Sequence, residues 1–219
     1  MIQSLGITTL SRYVAKQLNN LLPDVEVKSQ VLDSFVSKAI ERTEYCFSKI
    51  NNECFFDGRN VRFDHLHTDQ YAMFLYYLSN TIWRQEKDEI LAGKIYFLNK
   101  ALNGLNIFYK VALPDIFLLF HCVGMVLGRA EYKDYFVAFQ NATVGANKDR
   151  VYPSLGEGTM MCASSAVIGN CKIGDNCLVS INTVVMERDV PPNMVVFGKY
   201  PDIAYKRTKT SVIERYFIA

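Results

Sequence analysis

The chain has 219 residues, of which 50% are hydrophobic and 21% are charged, with 24 Lys+Arg against 22 Asp+Glu. This composition excludes a disordered or fibrous protein, and a net charge of +2 gives no sign of nucleic-acid binding. The six cysteines form no C-x-x-C pair, so we expect reduced thiols in a cytoplasmic protein. We expect no signal peptide, because residues 1–6 lack a basic region followed by a long apolar run, and no membrane span, because His121 and Gly124 interrupt the most apolar stretch.

Apolar residues recur at helical spacing up to about Asn103, and this pattern predicts four helices. The four sets are Leu10, Val14, Leu18 and Leu21; Val31, Phe35, Ala39, Phe47 and Ile50; Phe74, Leu78 and Ile82; and Leu91, Ile95, Leu98 and Leu102. Thr68 or Asp69 is the expected N-cap of the third helix, and Gly104 is the expected C-cap of the fourth. Residues 1–108 are therefore predicted to form an α-helical N-terminal domain.

The second half of the chain repeats every six residues. Bulky apolar side chains recur at this interval, and a small residue follows four places after each of the first five. The bulky set is Leu155, Met161, Val167, Ile173, Val179 and Val185, and the small set is Thr159, Ser165, Cys171, Cys177 and Thr183. Helical or strand periodicity alone does not impose the second set, whereas a hexapeptide solenoid does. An all-β sandwich with accidental spacing is the alternative interpretation.

The repeat predicts a narrow triangular prism in which each face points one bulky and one small side chain inward. Tyr132, Ala138 and Val144 share the phase upstream, and the misfit in spacing after them predicts a loop over residues 146–154. Glycine and asparagine fall between the inward positions, as tight corners require. The same register predicts that Met160, Val184 and Met186 lie on exposed outer faces.

With this repeat and the string His121-Cys122-Val123-Gly124, the chain resembles serine acetyltransferase, of the left-handed β-helix acyltransferase superfamily, from about Tyr109 to Lys206. The other matching strings are Gln140-Asn141-Ala142-Thr143-Val144-Gly145, Gly158-Thr159-Met160-Met161, Ile168-Gly169-Asn170, Ile173-Gly174-Asp175 and Val190-Pro191-Pro192. The expected fold class is α+β: an N-terminal α-helical domain, then a left-handed parallel β-helix of hexapeptide repeats over 109–200 and a C-terminal tail over 201–219.

The resemblance implies a homotrimer, or a dimer of trimers, with active sites in the clefts between neighbouring prisms. Acetyl-CoA would be the co-substrate, with no metal, and His121 would be the catalytic base that takes a proton from the acceptor hydroxyl. The positions that match the family at the acetyl-CoA site are Gly145, Ala146, Ala163, Ser164 and Ser180, with Lys199 and Lys206 as cations for the CoA phosphates.

Three departures from the family concern the acceptor. Phe120 and Ala112 replace aspartates, and Tyr152 replaces a histidine. Because neither Phe nor Ala can balance an ammonium, free serine should bind poorly, and Tyr152 offers an aromatic face that suits a sugar ring. We expect the acceptor to be a saccharide or sugar nucleotide of bacterial surface-polysaccharide synthesis. Asp115 and Asp134 are the nearest remaining carboxylates that could orient the His121 imidazole. Asp115, Phe120 and Tyr152 are the expected acceptor-binding residues.

Several alternatives stay open. The chain could be a serine O-acetyltransferase with a rebuilt pocket, or a non-catalytic trimeric scaffold. His121 could be a hydrogen-bonded core residue, which the matching motif disfavours. His65 and His67, beside Asp64 and Asp69, could hold a metal, but they match nothing in the family and a polar loop explains them better. The apolar tail over 212–219 is expected to dock on the prism or on a neighbouring chain.

Overall fold

Four helices form the first half of the chain, as the apolar spacing predicts. In the computed structural model, which describes residues 1–218, α1 spans Ile7–Leu21, α2 Ser29–Phe47, α3 Thr68–Glu86 and α4 Glu89–Asn103. Two short strands, β1 (Ile2–Gln3) and β2 (Arg62–Phe63), pair in parallel beside them. Ala219, the last residue of the predicted tail, lies outside the described residues. Each helix within residues 1–218 is too short or too polar to cross a membrane.

Helix α3 forms the centre of this helical region, and its residues from Asp69 to Ile82 are all buried. It packs between α2 and α4. The predicted apolar face of α2 was wrong by one position in the first turns of the helix, because Val31 is exposed whereas Leu32 and Val36 are buried. Both sets have helical spacing, so packing against α1 and α3 decides which face turns inward.

The predicted helix ends are confirmed at α4 and shifted at α3. Gly104 ends α4 in the left-handed conformation with a φ of 64°, and Asp88 caps its start by accepting the main-chain N–H of Leu91 at 2.9 Å. At α3 the N-cap is His67, whose ring accepts the N–H of Gln70, and neither Thr68 nor Asp69 caps the helix. The Asp69 carboxylate makes other contacts, at the candidate site.

The second half is a parallel β-solenoid whose strands lie on three faces. The first face holds β3 (Phe117–Phe120), β6 (Phe136–Phe139), β9 (Met160–Met161), β12 (Leu178–Val179) and β14 (Met194–Lys199). The second holds β4 (Val126–Leu127), β7 (Thr143–Gly145), β10 (Ala166–Ile168) and β13 (Val184–Met186), and the third holds β5 (Glu131–Tyr132), β8 (Ser154–Leu155) and β11 (Lys172–Ile173). Helices followed by this solenoid confirm the predicted fold class.

The six-residue repeat fills the solenoid interior as predicted. The six bulky positions from Leu155 to Val185 are at most 3% exposed, and the five small positions are at most 1% exposed. Upstream, Ala138 pairs in register with Met161, and Val144 pairs with Val167. Residues 146–153 form an irregular loop before β8, at the place where the misfit in spacing predicts one.

The segment after the solenoid folds back over the first face. Strand β15 (Asp202–Arg207) pairs antiparallel with β14, and α5 (Val212–Tyr216) follows. A Cβ on Gly158 would lie 3.2 Å from Ile213, and the rings of Phe139 and Tyr216 lie 6.4 Å apart, so α5 runs beside β6 and β9. The tail therefore docks on the prism of its own chain, which is one of the two predicted sites.

This docking corrects the predicted outer surface. Met160, expected on an exposed face, is buried beside α5, whereas Val184 and Met186 on the second face remain partly exposed. Beyond α5 the chain reaches the helical region, where the N–H of Ile218 donates to the carbonyl of Lys49 at 2.8 Å. The segment thus connects both halves of the molecule.

Candidate active site

The turns between the first and second faces stack into one column, which we call the His121 corner (residues 120–125, 139–142, 162–165 and 180–183). The strand register fixes the length of each turn. Leu119 pairs with Ala138 before the turn and Val126 pairs with Thr143 after it, so the first turn holds six residues where the second holds four. The third and fourth turns also hold four. The first turn therefore carries a two-residue extension.

Each turn of the His121 corner has a left-handed residue two positions before the next strand, and the first turn has His121 as a second one. The residues two positions before a strand are Gly124, Asn141, Ser164 and Asn182, with φ values of 74°, 59°, 58° and 57°. Asn141 donates its main-chain N–H to the carbonyl of Val123 in the turn before it, at 3.0 Å. Gly124 in the first turn has no turn before it, and it donates to Gly104 at the end of α4, at 3.1 Å. The end of a helix thus replaces the missing coil.

His121 lies in the two-residue extension, exposed and with a φ of 53°. Its main-chain N–H donates to Asp69 Oδ2 at 3.0 Å, and the N–H of Cys122 donates to Asp69 Oδ1 at 3.2 Å. No carboxylate oxygen of residues 1–218 lies within 4.0 Å of the His121 ring. The position of the imidazole is therefore fixed through the main chain of His121. The ring itself is open to a hydroxyl that approaches from solvent.

Cys122, next to His121, does not offer a competing nucleophile. Burial, reinforced by the neighbouring Asp69 carboxylate, raises the pKa of the Cys122 thiol well above its ordinary value. Because the thiolate is the reactive form, the thiol stays protonated and unreactive near neutral pH.

An aromatic cluster flanks the candidate base. The rings of Phe120 and Phe139 stack with centroids 4.9 Å apart, and Tyr216 of α5 packs on Phe120 at 5.8 Å. The centroids of Phe120 and His121 lie 6.4 Å apart. Phe120, the neighbour of His121, stands where the resembled family has a carboxylate. In this chain that position is thus part of an apolar surface. Tyr216 was not among the predicted site residues, because its neighbours come from distant parts of the chain.

The residues predicted to bind acetyl-CoA fall into two groups. Three of them lie on the His121 corner. Ala163 and Ser164 are in the turn that follows the turn of Phe139, and Ser180 is in the turn after that. Gly145 and Ala146 lie at the other end of the second face, where β7 leaves for the loop. Lys199 and Lys206 are exposed on β14 and β15. A single chain therefore brings three of the seven positions onto the corner that holds His121.

The predicted acceptor residues Asp115 and Tyr152 lie away from His121. Asp115 precedes β3 while His121 follows it, so the four residues of the strand alone separate them by roughly 13 Å. Asp134 accepts the N–H of Ile116 at 3.0 Å, also at the start of β3. Tyr152 lines a cavity of about 480 Å³ together with Ala112. Neither aspartate is near the imidazole, and Asp69 is the carboxylate that reaches its loop.

Asp69 was missed as a site residue because its partners lie in the other half of the chain. The available signal was a carboxylate in the first turn of a helix that is otherwise buried, and the sequence analysis treated it as a cap. His65 and His67 have local roles: the His65 ring lies 2.8 Å from Ser4 Oγ, and His67 caps α3. Residues 1–218 contain no group of three or more His, Cys, Asp or Glu side chains arranged to hold a metal ion.

A parallel solenoid of hexapeptide coils with an exposed histidine on one corner has the architecture of the hexapeptide-repeat acyltransferases. No protein-family model matches the chain. Its sequence is 27% identical over 126 residues to a serine acetyltransferase of Synechococcus elongatus, which covers 56% of this chain and 51% of that protein. The chain spans about half the length of the curated relatives it matches.

Solved structures agree over a longer stretch. A serine acetyltransferase of Vibrio cholerae superposes with a TM-score of 0.73 at 20% identity, covering 93% of this chain and 81% of that one. A serine acetyltransferase in complex with CoA superposes with a TM-score of 0.68 at 17% identity, covering 91% and 86%. The predicted resemblance to serine acetyltransferases is confirmed, and the chain has their fold.

Proposed function

We propose that the protein is an acetyl-CoA-dependent O-acetyltransferase in which His121 is the general base. The observation that carries the proposal is the position of His121, exposed on a solenoid corner in a chain with the fold of serine acetyltransferases. The imidazole takes the proton of the acceptor hydroxyl as its oxygen attacks the thioester carbonyl carbon. The carbon–sulfur bond then breaks, and the CoA thiolate leaves with the proton returned from the imidazolium.

The corner also limits where the developing oxyanion can be stabilised. The N–H groups of His121 and Cys122 are already donated to Asp69, so they are not available to an oxyanion. We assign the acetyl-CoA chain to the corner beyond His121, beside Ala163, Ser164 and Ser180, where small side chains leave the main chain accessible. The CoA complex of a similar structure supports this co-substrate.

For the acceptor we put free serine first, because the similar proteins carry the name serine acetyltransferase. A saccharide hydroxyl is the second candidate, and one feature of the site favours it. The His121 ring has no carboxylate beside it in residues 1–218, and the Phe120 cluster lies in that position. An amino acid's ammonium needs a carboxylate, whereas a sugar ring packs on aromatic faces.

The acceptor can be tested by following thiol release from acetyl-CoA with a panel of hydroxyl compounds. The panel contains L-serine, N-acetyl-L-serine, which lacks the ammonium, free hexoses and sugar nucleotides. Serine as the best acceptor, with N-acetylserine far weaker, supports the first candidate; a sugar as the best acceptor supports the second. Thiol release that no acceptor accelerates, equal in wild type and His121→Ala, contradicts the enzyme and favours the scaffold.

We also propose that the active site is completed by a second chain in a homotrimer. Within one chain, the cavity that holds Tyr152 and Ala112 does not include His121. The second face retains partly exposed apolar residues, among them Val126, Val184 and Met186, which a neighbouring solenoid would cover. Light scattering should give three or six times the chain mass of 25.0 kDa. A fully active monomer contradicts a shared site.

A further inference from the structure

We propose that Asp69 is a positioning residue for His121: its carboxylate anchors the turn that carries the base, and so ties the helical region to the chemistry of the solenoid. The inference rests on the proposed role of His121 as general base. It starts from a hydrogen-bond problem specific to the first coil.

The first turn contains main-chain N–H groups that have no counterpart in the later turns. Asn141, Ser164 and Asn182 each donate their main-chain N–H to a carbonyl of the preceding turn, at 3.0, 2.9 and 3.1 Å. The equivalent N–H of the first turn, that of Gly124, donates to Gly104 at 3.1 Å, but the two-residue extension adds further N–H groups. Buried or crowded N–H groups need acceptors, so the exposed end of the solenoid requires some other part of the molecule to provide them.

Asp69 provides acceptors for the residues of the extension. Its two carboxylate oxygens accept one N–H each, from His121 at 3.0 Å and from Cys122 at 3.2 Å. The side chain is held by α3, the buried central helix, and Asp69 itself is 8% exposed. A charged acceptor on a rigid helix gives strong and directional hydrogen bonds. The anchor therefore has little freedom to follow the turn if the turn moves.

Two contacts to consecutive N–H groups fix the orientation of the main chain as well as its position. His121 needs this support, because it has a left-handed φ of 53° that residues other than glycine rarely adopt. The direction of its side chain follows from that main chain. Without the Asp69 carboxylate, we expect the turn to sample other conformations. The imidazole nitrogen would then move out of hydrogen-bonding distance of the acceptor hydroxyl. A misplacement of about 1 Å can lower a rate by roughly 10²-fold.

The test uses Asp69→Ala, which removes both acceptors, and Asp69→Asn, which keeps one acceptor oxygen. Asp64→Ala is the matched control, because the exposed Asp64 also accepts a main-chain N–H, from Leu66 at 2.9 Å, just before α3. We expect Asp69→Ala to lower kcat roughly 10–100-fold with the KM for acetyl-CoA within about twofold, and Asp69→Asn to be intermediate. Asp64→Ala should keep the wild-type kcat.

Amide hydrogen exchange at His121 and Cys122 provides a measurement that does not depend on turnover. Exchange at both amides should be at least about tenfold faster in Asp69→Ala than in wild type or Asp64→Ala. A wild-type kcat in Asp69→Ala overturns the inference, and so does a kcat loss equal to that of Asp64→Ala. If wild type transfers no acetyl group but exchange responds as expected, the anchor stands and the proposed function fails. If transfer is robust and both readouts are unchanged in Asp69→Ala, only the anchor fails.

Discussion

The helical region and the solenoid bury their apolar side chains in different ways. In the solenoid, a position in the repeat determines whether a side chain points inward, so Val167 and Val185 pair directly above one another. In the helical region, α3 is buried on every side, and its large aromatic residues Tyr76 and Tyr77 fit irregular neighbours. The solenoid core is therefore a repeated local solution, while the helical core depends on which partners surround each helix.

The two regions nevertheless share one core. The Tyr76 hydroxyl donates to the carbonyl of Val111 at 3.0 Å and accepts the N–H of Leu113 at 2.9 Å. The Tyr77 ring packs on Phe117 of β3, with centroids 5.3 Å apart. The candidate site lies at the same boundary, with the histidine on one side and its anchoring carboxylate on the other. The two regions can be compared by making matched substitutions in each and measuring how much each substitution lowers activity or stability.

The largest effect should come from the solenoid corner. We expect His121→Ala to lower kcat by about 10²–10⁴-fold, because the acceptor hydroxyl loses its base, while acetyl-CoA affinity stays nearly constant. His65→Ala is the control in the helical region and should retain activity, since its ring contacts Ser4 and Tyr13 and not the His121 corner. Steady-state kinetics measure both. A His121→Ala rate within tenfold of wild type removes His121 from the mechanism.

Cavities in the two cores should destabilise the molecule by similar amounts. Leu78→Ala in α3 and Met161→Ala in β9 each remove a side chain that is 0% exposed, and each should cost about 2–5 kcal/mol of unfolding free energy. Because the core is continuous, urea unfolding followed by fluorescence and by circular dichroism should show one shared transition. Two separate transitions, each sensitive to only one variant, would mean that the regions fold independently.

Overpacking should affect the solenoid at its small positions. Cys177→Leu enlarges a residue that is 0% exposed inside the narrow prism, and we expect a loss of about 1–3 kcal/mol. Cys54→Leu is the matched change at an exposed cysteine of the helical region, where space is open. Thermal unfolding of the two variants gives the comparison. Equal stability of both would contradict the narrow interior that the repeat requires.

The smallest effect should come from a helix end. Asp88 accepts main-chain N–H groups at the start of α4, so Asp88→Ala should cost about 1 kcal/mol. Lys28, at the same place on α2, makes no capping contact through its side chain, so Lys28→Ala should have almost no effect. Urea midpoints distinguish the two. A loss at Lys28 as large as that at Asp88 would mean that capping does not explain the difference.

The same contrast explains how far the sequence could predict the structure. The interior of the solenoid, the loop before β8 and the four helices of the first half all follow from spacing, because neighbouring residues impose them. The inward face of α2 does not, because Val31 and Leu32 both satisfy helical spacing and only packing separates them. Tertiary partners also decide the burial of Met160.

The candidate site divides along the same line. His121 could be found from its string and from the repeat around it, both of which are local. The contact between Asp69 and His121 brings together two halves of the chain with different periodicities, so no pattern in either half indicates it. The stacking of Tyr216 on Phe120 has the same origin.

The return of the last segment to the helical region has a consequence during synthesis. Phe217 bridges to Ile50, and Ile218 donates to Lys49, so the residues just after α2 are contacted by residues that leave the ribosome long after them. Until then, the nascent helical region lacks these contacts, and the aromatic surface beside His121 lacks Tyr216. The corner that carries the candidate base is therefore completed only after Tyr216 has emerged.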